Sequence, residues 1–412
     1  MKSVLFISYF FPPIISSGVY RNENFAKNLS RFGWAPTVLT VDKTQDPWQS
    51  SGELTSQFDF PVIRFPENRY AKWPDLLHAG WARIGALFGN EIKSNRIREI
   101  FHFPDQQKNW KFQSVAAKLA AETNCIFVSS TPFSSACVSC NLKEMTGKPL
   151  VVDFRDPWMQ NSDTSKDGLA IVNRLKYRLE ERIVKVCDRL ILNTPDALRV
   201  YQEAYPKESS KMRCIPNGFD QLNVPEKSDT ATGFRIVHTG SFYGTRTPLR
   251  LLRALDMLAI NDVEFVHVGA LCDELSAYKG GVSVLQTGPV QRSEALEMIK
   301  SASLLFLSQG FEHQEGRYPA VAGKTYEYLA TGLPILAEAP PGDNSDIVAQ
   351  YCSYPIVVST PSITEIFDKL RAAWPHLERH SPNVLPQYIQ DYSRLSLTEK
   401  LVNVLNETVS SP

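Results

Sequence analysis

The sequence predicts an α/β protein of two successive domains, each an open parallel sheet with helices on both faces. Three observations predict it. Short continuous apolar runs recur in both halves, as strands covered on two sides require. Each run leads through a loop rich in Pro, Gly, Ser, Thr or Asp toward a helical pattern. Residues 221–233 (QLNVPEKSDTATG) are polar, lack apolar periodicity and separate the two series as a linker. The chain of 412 residues also exceeds one ordinary domain.

Residues 4–9 (VLFISY) form the first strand. A helix follows over 21–32, with Phe25, Leu29 and Phe32 on one stripe and Gly33 at its end. Residues 36–41 (PTVLTV) are the next strand, which completes a right-handed crossover unit. The same alternation places strands at 125–129, 150–154 and 189–193. Beyond the linker it restarts with strands at 234–239, 264–268, 282–287, 304–308 and 335–338, and helices at about 248–260 and 293–301. Both halves are therefore Rossmann-like. Neither opens on G-x-G-x-x-G, which argues against a nicotinamide dehydrogenase. A last helix over 393–407 is expected to cross back to the first domain. The expected division is 1–220, linker 221–233, 234–388 and a terminal segment 389–412. Ligands of such sheets sit at the carboxyl ends of strands, so the loops after Tyr9, Phe154, Thr239 and Ser308 are expected around one central cleft.

Composition narrows the function. The 44 basic and 44 acidic residues cancel, and no basic stripe points to nucleic acid. The seven cysteines are scattered, which fits a reducing compartment. Cys137 and Cys140 form a single C-x-x-C without a second pair or a His cluster, so two buried thiols are expected rather than zinc or a redox pair. The N-terminal apolar run carries one positive side chain and is broken by Pro12-Pro13, which disfavours a signal peptide. No segment reaches the roughly 20 apolar residues needed to span a bilayer. The expected location is cytoplasmic, free or on the inner face of the cell membrane. Residues 64–112 hold nine Arg or Lys against five Asp or Glu, and nine aromatics including Trp73, Trp81 and Trp110. That mixture suits peripheral contact with anionic lipid, with an ordinary surface subdomain as the competing reading.

Four segments carry candidate chemistry. In FFPPIISSGVYR (10–21), Ser16, Ser17 and Gly18 make a small-residue turn into a helix, where a diphosphate or sugar can approach backbone closely. In VVDFRDPW (151–158), a buried strand ends on Asp153, Arg155 and Asp156. These either pair with one another or orient an acceptor hydroxyl and face its charge. HTGSFYGTRTP (238–248) places Gly240, Ser241 and Gly244 after a strand and Arg246 near the next helix, where it can neutralise a leaving diphosphate. In GKTYEYLATGLPIL (323–336), a helix opening at Gly323 is stopped by Gly332. Its N-terminus suits phosphate, Lys324 and Thr325 lie in the first turn, and Glu327 can accept both hydrogen bonds of a ribose cis-diol. The competing reading is an amphipathic helix with a Lys324–Glu327 ion pair.

In this order, and with IPNGFD (215–220) between them, these segments resemble retaining glycosyltransferases of family 4, the bacterial group with the two-Rossmann GT-B fold. The resemblance spans residues 1 to about 400. It implies sugar transfer from a nucleotide-diphosphate donor to a hydroxyl of a glycan or lipid-linked saccharide, as in cell-surface polysaccharide or lipopolysaccharide synthesis, without cofactor or required metal. It further implies that Gly18 approaches the donor, Arg246 contacts the diphosphate and Glu327 holds the ribose. The sequence departs from the family twice. Pro319 stands where the first glutamate of E-x7-E belongs, which leaves backbone around 320–323, or Glu315, to meet the donor sugar. Ser241 stands where a basic residue is usual, so Arg246 and Lys324 share the diphosphate. A nucleotide-sugar epimerase and a non-catalytic nucleotide-sugar binding protein are the competing readings.

Overall fold

A computed structural model describes all residues except 15, 43–57, 68–99, 101, 161–168, 221–232, 312–315 and 411–412. The chain forms two compact units, Met1–Pro216 with Arg394–Pro412, and Asn217–Ser393.

The first unit runs β1 (Lys2–Ser8), α1 (Ser17–Leu29), β2 (Trp34–Asp42), β3 (Val62–Pro66), α2 (Gln113–Ala121), β4 (Cys125–Ser130) and α3 (Phe133–Thr146). It continues with β5 (Leu150–Phe154), α4 (Ala170–Val186), β6 (Arg189–Leu192), α5 (Pro195–Ala204) and β7 (Met212–Cys214). All its strands are parallel, in the order β3-β2-β1-β4-β5-β6-β7. The pleat sends alternate side chains to opposite faces. From β1, Leu5 and Ile7 enter one core with Val128 and Val152, while Val4 and Phe6 enter another with Phe25, Trp34 and Phe127. That second core is completed by α13 (Arg394–Ser410), whose Leu397, Leu401, Val402 and Leu405 are buried in it. Asn406 ties the helix down further, accepting from Lys2 Nζ at 2.8 Å and Trp34 Nε1 at 3.3 Å.

The second unit runs β8 (Phe234–Thr239), α6 (Leu249–Leu258), β9 (Val263–Val268), α7 (Asp273–Ala277), β10 (Ser283–Gln286), α8 (Arg292–Lys300) and β11 (Leu304–Ser308). Then come α9 (Gly323–Leu329), β12 (Ile335–Glu338), α10 (Asp343–Tyr351), β13 (Pro355–Val358), α11 (Ile363–Leu377) and α12 (Pro386–Tyr392). Its six strands are also parallel, ordered β10-β9-β8-β11-β12-β13. Here too the faces alternate: Ile236, Leu304 and Phe306 lie on one side, Val237, Leu305 and Leu307 on the other.

The sequence-predicted strands coincide with observed ones. β3, β7 and β13, which are short and lie at sheet edges or next to them, were not expected. Cys137 and Cys140 are unbridged, and burial pushes both thiols up to about 12. Among the described residues no helix is long and apolar enough to cross a membrane. Trp73 and Trp81 lie outside the described residues. Trp110 belongs to the core rather than to a lipid-facing surface: it is 3% exposed, donates to the Phe65 carbonyl at 3.2 Å and packs on Phe112.

Gly332 is left-handed, with φ of 69°, and a Cβ there would lie 2.5 Å from Asn383 backbone. Gly332→Ala is therefore expected to cost more than about 1 kcal/mol in urea unfolding.

Candidate functional site

In the second unit, β8 ends at Thr239 and the chain turns sharply at Gly240, whose φ is 106°. The turn docks against the end of β9 so closely that a Cβ on Gly269 would fall 2.0 Å from the Gly240 carbonyl oxygen. Two side chains one turn apart on α9 grip the end of β8. The Tyr328 hydroxyl accepts from the Thr239 amide at 2.8 Å, and Lys324 Nζ donates to the Thr239 carbonyl at 2.6 Å. Lys324 Nζ also lies 2.9 Å from Nε2 of His238, a buried ring stacked on Phe242. Behind it, His238 Nδ1 sits 3.1 Å from His267 Nδ1.

Arg246 follows in the same loop, its guanidinium 3.9 Å over the ring of Tyr243. Its Nε has no hydrogen-bond partner among the described residues. Burial, and then the Arg246 charge, lower Lys324 to about 7. Burial, Lys324, His267 and Arg246 hold His238 well below the usual imidazole range, so it is neutral. Neither Lys324 nor Arg246 pairs with a carboxylate among the described residues. Two adjacent basic side chains without a carboxylate partner among the described residues have the charge that suits an anion.

Glu327 does not take Lys324 as its partner, the pairing of the competing reading. Its Oε1 accepts from Arg292 Nη2 on α8 at 2.5 Å, and Arg292 also lies 3.8 Å from Asp220. The lysine faces β8 while Glu327 faces α8, so no ion pair forms along the helix. Thr325, expected to touch the donor, is instead buried, donating from Oγ1 to Asn344 Oδ1 at 2.7 Å. Asn344 Oδ1 also accepts from the Ala322 amide, and its Nδ2 donates to Gln309, which in turn donates to the Ala320 carbonyl. This network stiffens the chain around Pro319 from behind. Glu315 lies outside the described residues. Gly323 is exposed and opens α9, but that helix has only seven residues, so the positive character here comes from side chains rather than a long dipole. Ser241 is exposed beside Gly240.

In the first unit, Ser17 is the first residue of α1 and Ser16 its cap, accepting from the Gly18 amide at 3.4 Å. Gly18 is bare because Arg155 lies on it: a Cβ there would fall 1.5 Å from Arg155 Nη1. The three charges at the end of β5 do not form ion pairs with one another, which was one of the two readings. Both oxygens of the fully buried Asp153 are held by Arg21, at 3.0 and 2.8 Å, and Arg21 also donates to the Ile215 carbonyl. Arg155 is buried over the Phe10 ring, donates from Nη2 to Thr131 at 2.9 Å, and leaves Nε and Nη1 without partners among the described residues. Asp156 is exposed.

Sequence reasoning missed Arg292, Tyr328, His267, Gln309 and Asn344. For His267 a signal exists only in the strand register, which sets it opposite His238. No protein-family model and no curated protein matches the chain. Solved structures do. Anabaena HepE, determined with UDP-glucose, is 13% identical with a TM-score of 0.64, covering 99% of this chain and 100% of that one. A glycosyltransferase from Rickettsia africae is 13% identical with a TM-score of 0.64, over 100% and 99%. The lipopolysaccharide outer core galactosyltransferase WaaB, in its apo form, is 11% identical with a TM-score of 0.61, over 98% and 99%. At such identities the likeness is one of fold, and the fold of this chain is that of the GT-B glycosyltransferases.

Proposed function

We propose that the protein is a retaining glycosyltransferase that moves a sugar from a nucleotide-diphosphate donor to a hydroxyl of a glycan or lipid-linked saccharide, in cell-surface polysaccharide or lipopolysaccharide synthesis. One observation carries the reading: Lys324 and Arg246 stand together at the carboxyl end of β8 with no carboxylate between them among the described residues. A diphosphate supplies the missing negative charge, and its charge grows as the glycosidic bond breaks, so the pair favours the departing group over the bound donor. Glu327, fixed by Arg292, offers its carboxylate to the ribose. The acceptor hydroxyl then attacks from the face that the diphosphate leaves, and a donor phosphate oxygen takes its proton. In the first unit, Arg155 is the candidate contact for acceptor charge, with the exposed Asp156 beside it and Gly18 beneath. HepE was solved with UDP-glucose, which makes a uridine donor the first to try.

Calorimetry against UDP-glucose, GDP-mannose, ADP-glucose and dTDP-glucose tests the donor site, and binding of none of them removes the proposal. Incubation of the bound donor without acceptor separates the epimerase reading, since epimerisation needs the donor alone. Glu327→Ala is expected to weaken donor binding by about 1–3 kcal/mol while leaving the melting temperature close to wild type.

A further inference from the structure

We infer that His267 and His238 form a positioning relay for Lys324, and that occupation of the anion site by a sugar nucleotide is linked to uptake of one proton by that lysine. The inference rests on the donor site proposed above.

The relay has one self-consistent hydrogen arrangement. His267 Nε2 lies 2.7 Å from the Ala270 carbonyl, which can only accept, so the His267 proton is on Nε2. Its Nδ1 is then an acceptor, and the hydrogen in the 3.1 Å contact between the two Nδ1 atoms belongs to His238. That leaves a lone pair on His238 Nε2, facing Lys324 Nζ at 2.9 Å. Both rings are neutral and every ring nitrogen is satisfied. They cannot turn without breaking the chain, because both are fully buried and His238 is stacked on Phe242, 4.1 Å away.

Lys324 consequently spends two hydrogens on the protein, one on His238 Nε2 and one on the Thr239 carbonyl at 2.6 Å. A neutral amine has only those two, whereas an ammonium has a third. The relay thus directs whichever feature distinguishes the two states, a lone pair or an N–H, away from β8. A phosphate oxygen can use only the N–H. In the empty site little holds the third proton. Besides the neutral His238 and His267, the charge facing it among the described residues is Arg246, which repels it; Glu327 points to α8 and is engaged by Arg292. With burial, Arg246 lowers the lysine to about 7. An arriving diphosphate restores it. The pKa is raised in the complex, so affinity is level below pH 7 and falls by up to about tenfold per pH unit above it. Each phosphate of a sugar nucleotide keeps its single charge across this range, so the ligand contributes no proton change of its own.

The test uses the full chain and whichever of the four sugar nucleotides binds, by calorimetry in HEPES and Tris, whose ionisation enthalpies differ. Near one proton taken up per ligand at pH 8.0, and near none at pH 6.0, is expected for wild type, with no uptake in Lys324→Met. Two further variants isolate the relay. His238→Phe keeps a flat ring against Phe242 without an acceptor and is expected to lose affinity by about tenfold or more. His238→Gln restores an acceptor for the lysine and is expected to stay within about threefold of wild type. Absence of proton uptake by wild type at pH 8.0, uptake that persists in Lys324→Met, or wild-type affinity and pH profile in a folded His238→Phe each overturns the relay while the donor site stands. Should His238→Phe fail to fold, the wild-type proton count decides. If wild type binds none of the four ligands, the donor site and the relay fall together.

Discussion

Asp153→Asn is expected to lower the unfolding free energy by about 3–5 kcal/mol, since it leaves Arg21 charged in the interior opposite a neutral amide. The side chains of Arg21 and Asp153 are 5% and 0% exposed, and the guanidinium meets the carboxylate through two parallel bonds. Arg21 also bonds the Ile215 and Pro216 carbonyls, so the pair links α1, β5 and the segment after β7. Losing it loosens three chain segments at once. Urea unfolding followed by circular dichroism measures the effect. Had Asp153 oriented an acceptor hydroxyl, the variant would keep wild-type stability and lose turnover; that result would return it to the catalytic candidates. Arg21→Met should destabilise similarly, because it strands the carboxylate instead.

Arg246→Ala is expected to reduce turnover by about 10²–10³-fold, or about 2.7–4 kcal/mol, with a smaller change in donor affinity. The guanidinium faces charge that builds only as the donor bond breaks, so its loss raises the barrier more than it weakens the bound complex. Stability should hardly change, since Arg246 forms no ion pair among the described residues and rests on the exposed ring of Tyr243. Steady-state kinetics with donor varied at fixed acceptor separates the two terms. Equal losses in affinity and in kcat/KM, with kcat unchanged, would place Arg246 in ground-state binding only. Arg246→Lys should recover part of the rate, because the point charge returns while the planar fork does not.

Most of the fold was legible because strands covered on both faces read as apolar runs: β1 and β11 hold four consecutive apolar residues, and β5 is mostly apolar. The edge strand β13 was not, since Pro355–Val358 is short and opens on a proline, which reads as a turn. The candidate site was legible where one segment carries it. Gly240, Arg246 and Lys324 stand out because glycine and cations interrupt predictable elements. Partnerships across elements were hidden. Nothing in the spacing says that Glu327 turns to Arg292 rather than Lys324, or that Asp153 reaches back 132 positions to Arg21. Thr325 looked like a ligand contact only because its burial against Asn344 depends on how α9 packs on α10. Such pairings are set by tertiary packing, which local pattern does not encode.

Because α13 supplies Leu397, Leu401 and Leu405 to the core beneath β1 and β4, the first unit is built from stretches at opposite ends of the chain. During translation its sheet emerges early yet lacks one wall until residue 410 has cleared the ribosome, by which time residues 217–393 have already been made. Vectorial folding, with each lobe finished before the next begins, is therefore closed to this protein. A nascent chain stalled before residue 394 should expose that apolar face and lean on chaperones, whereas the released full-length chain should not.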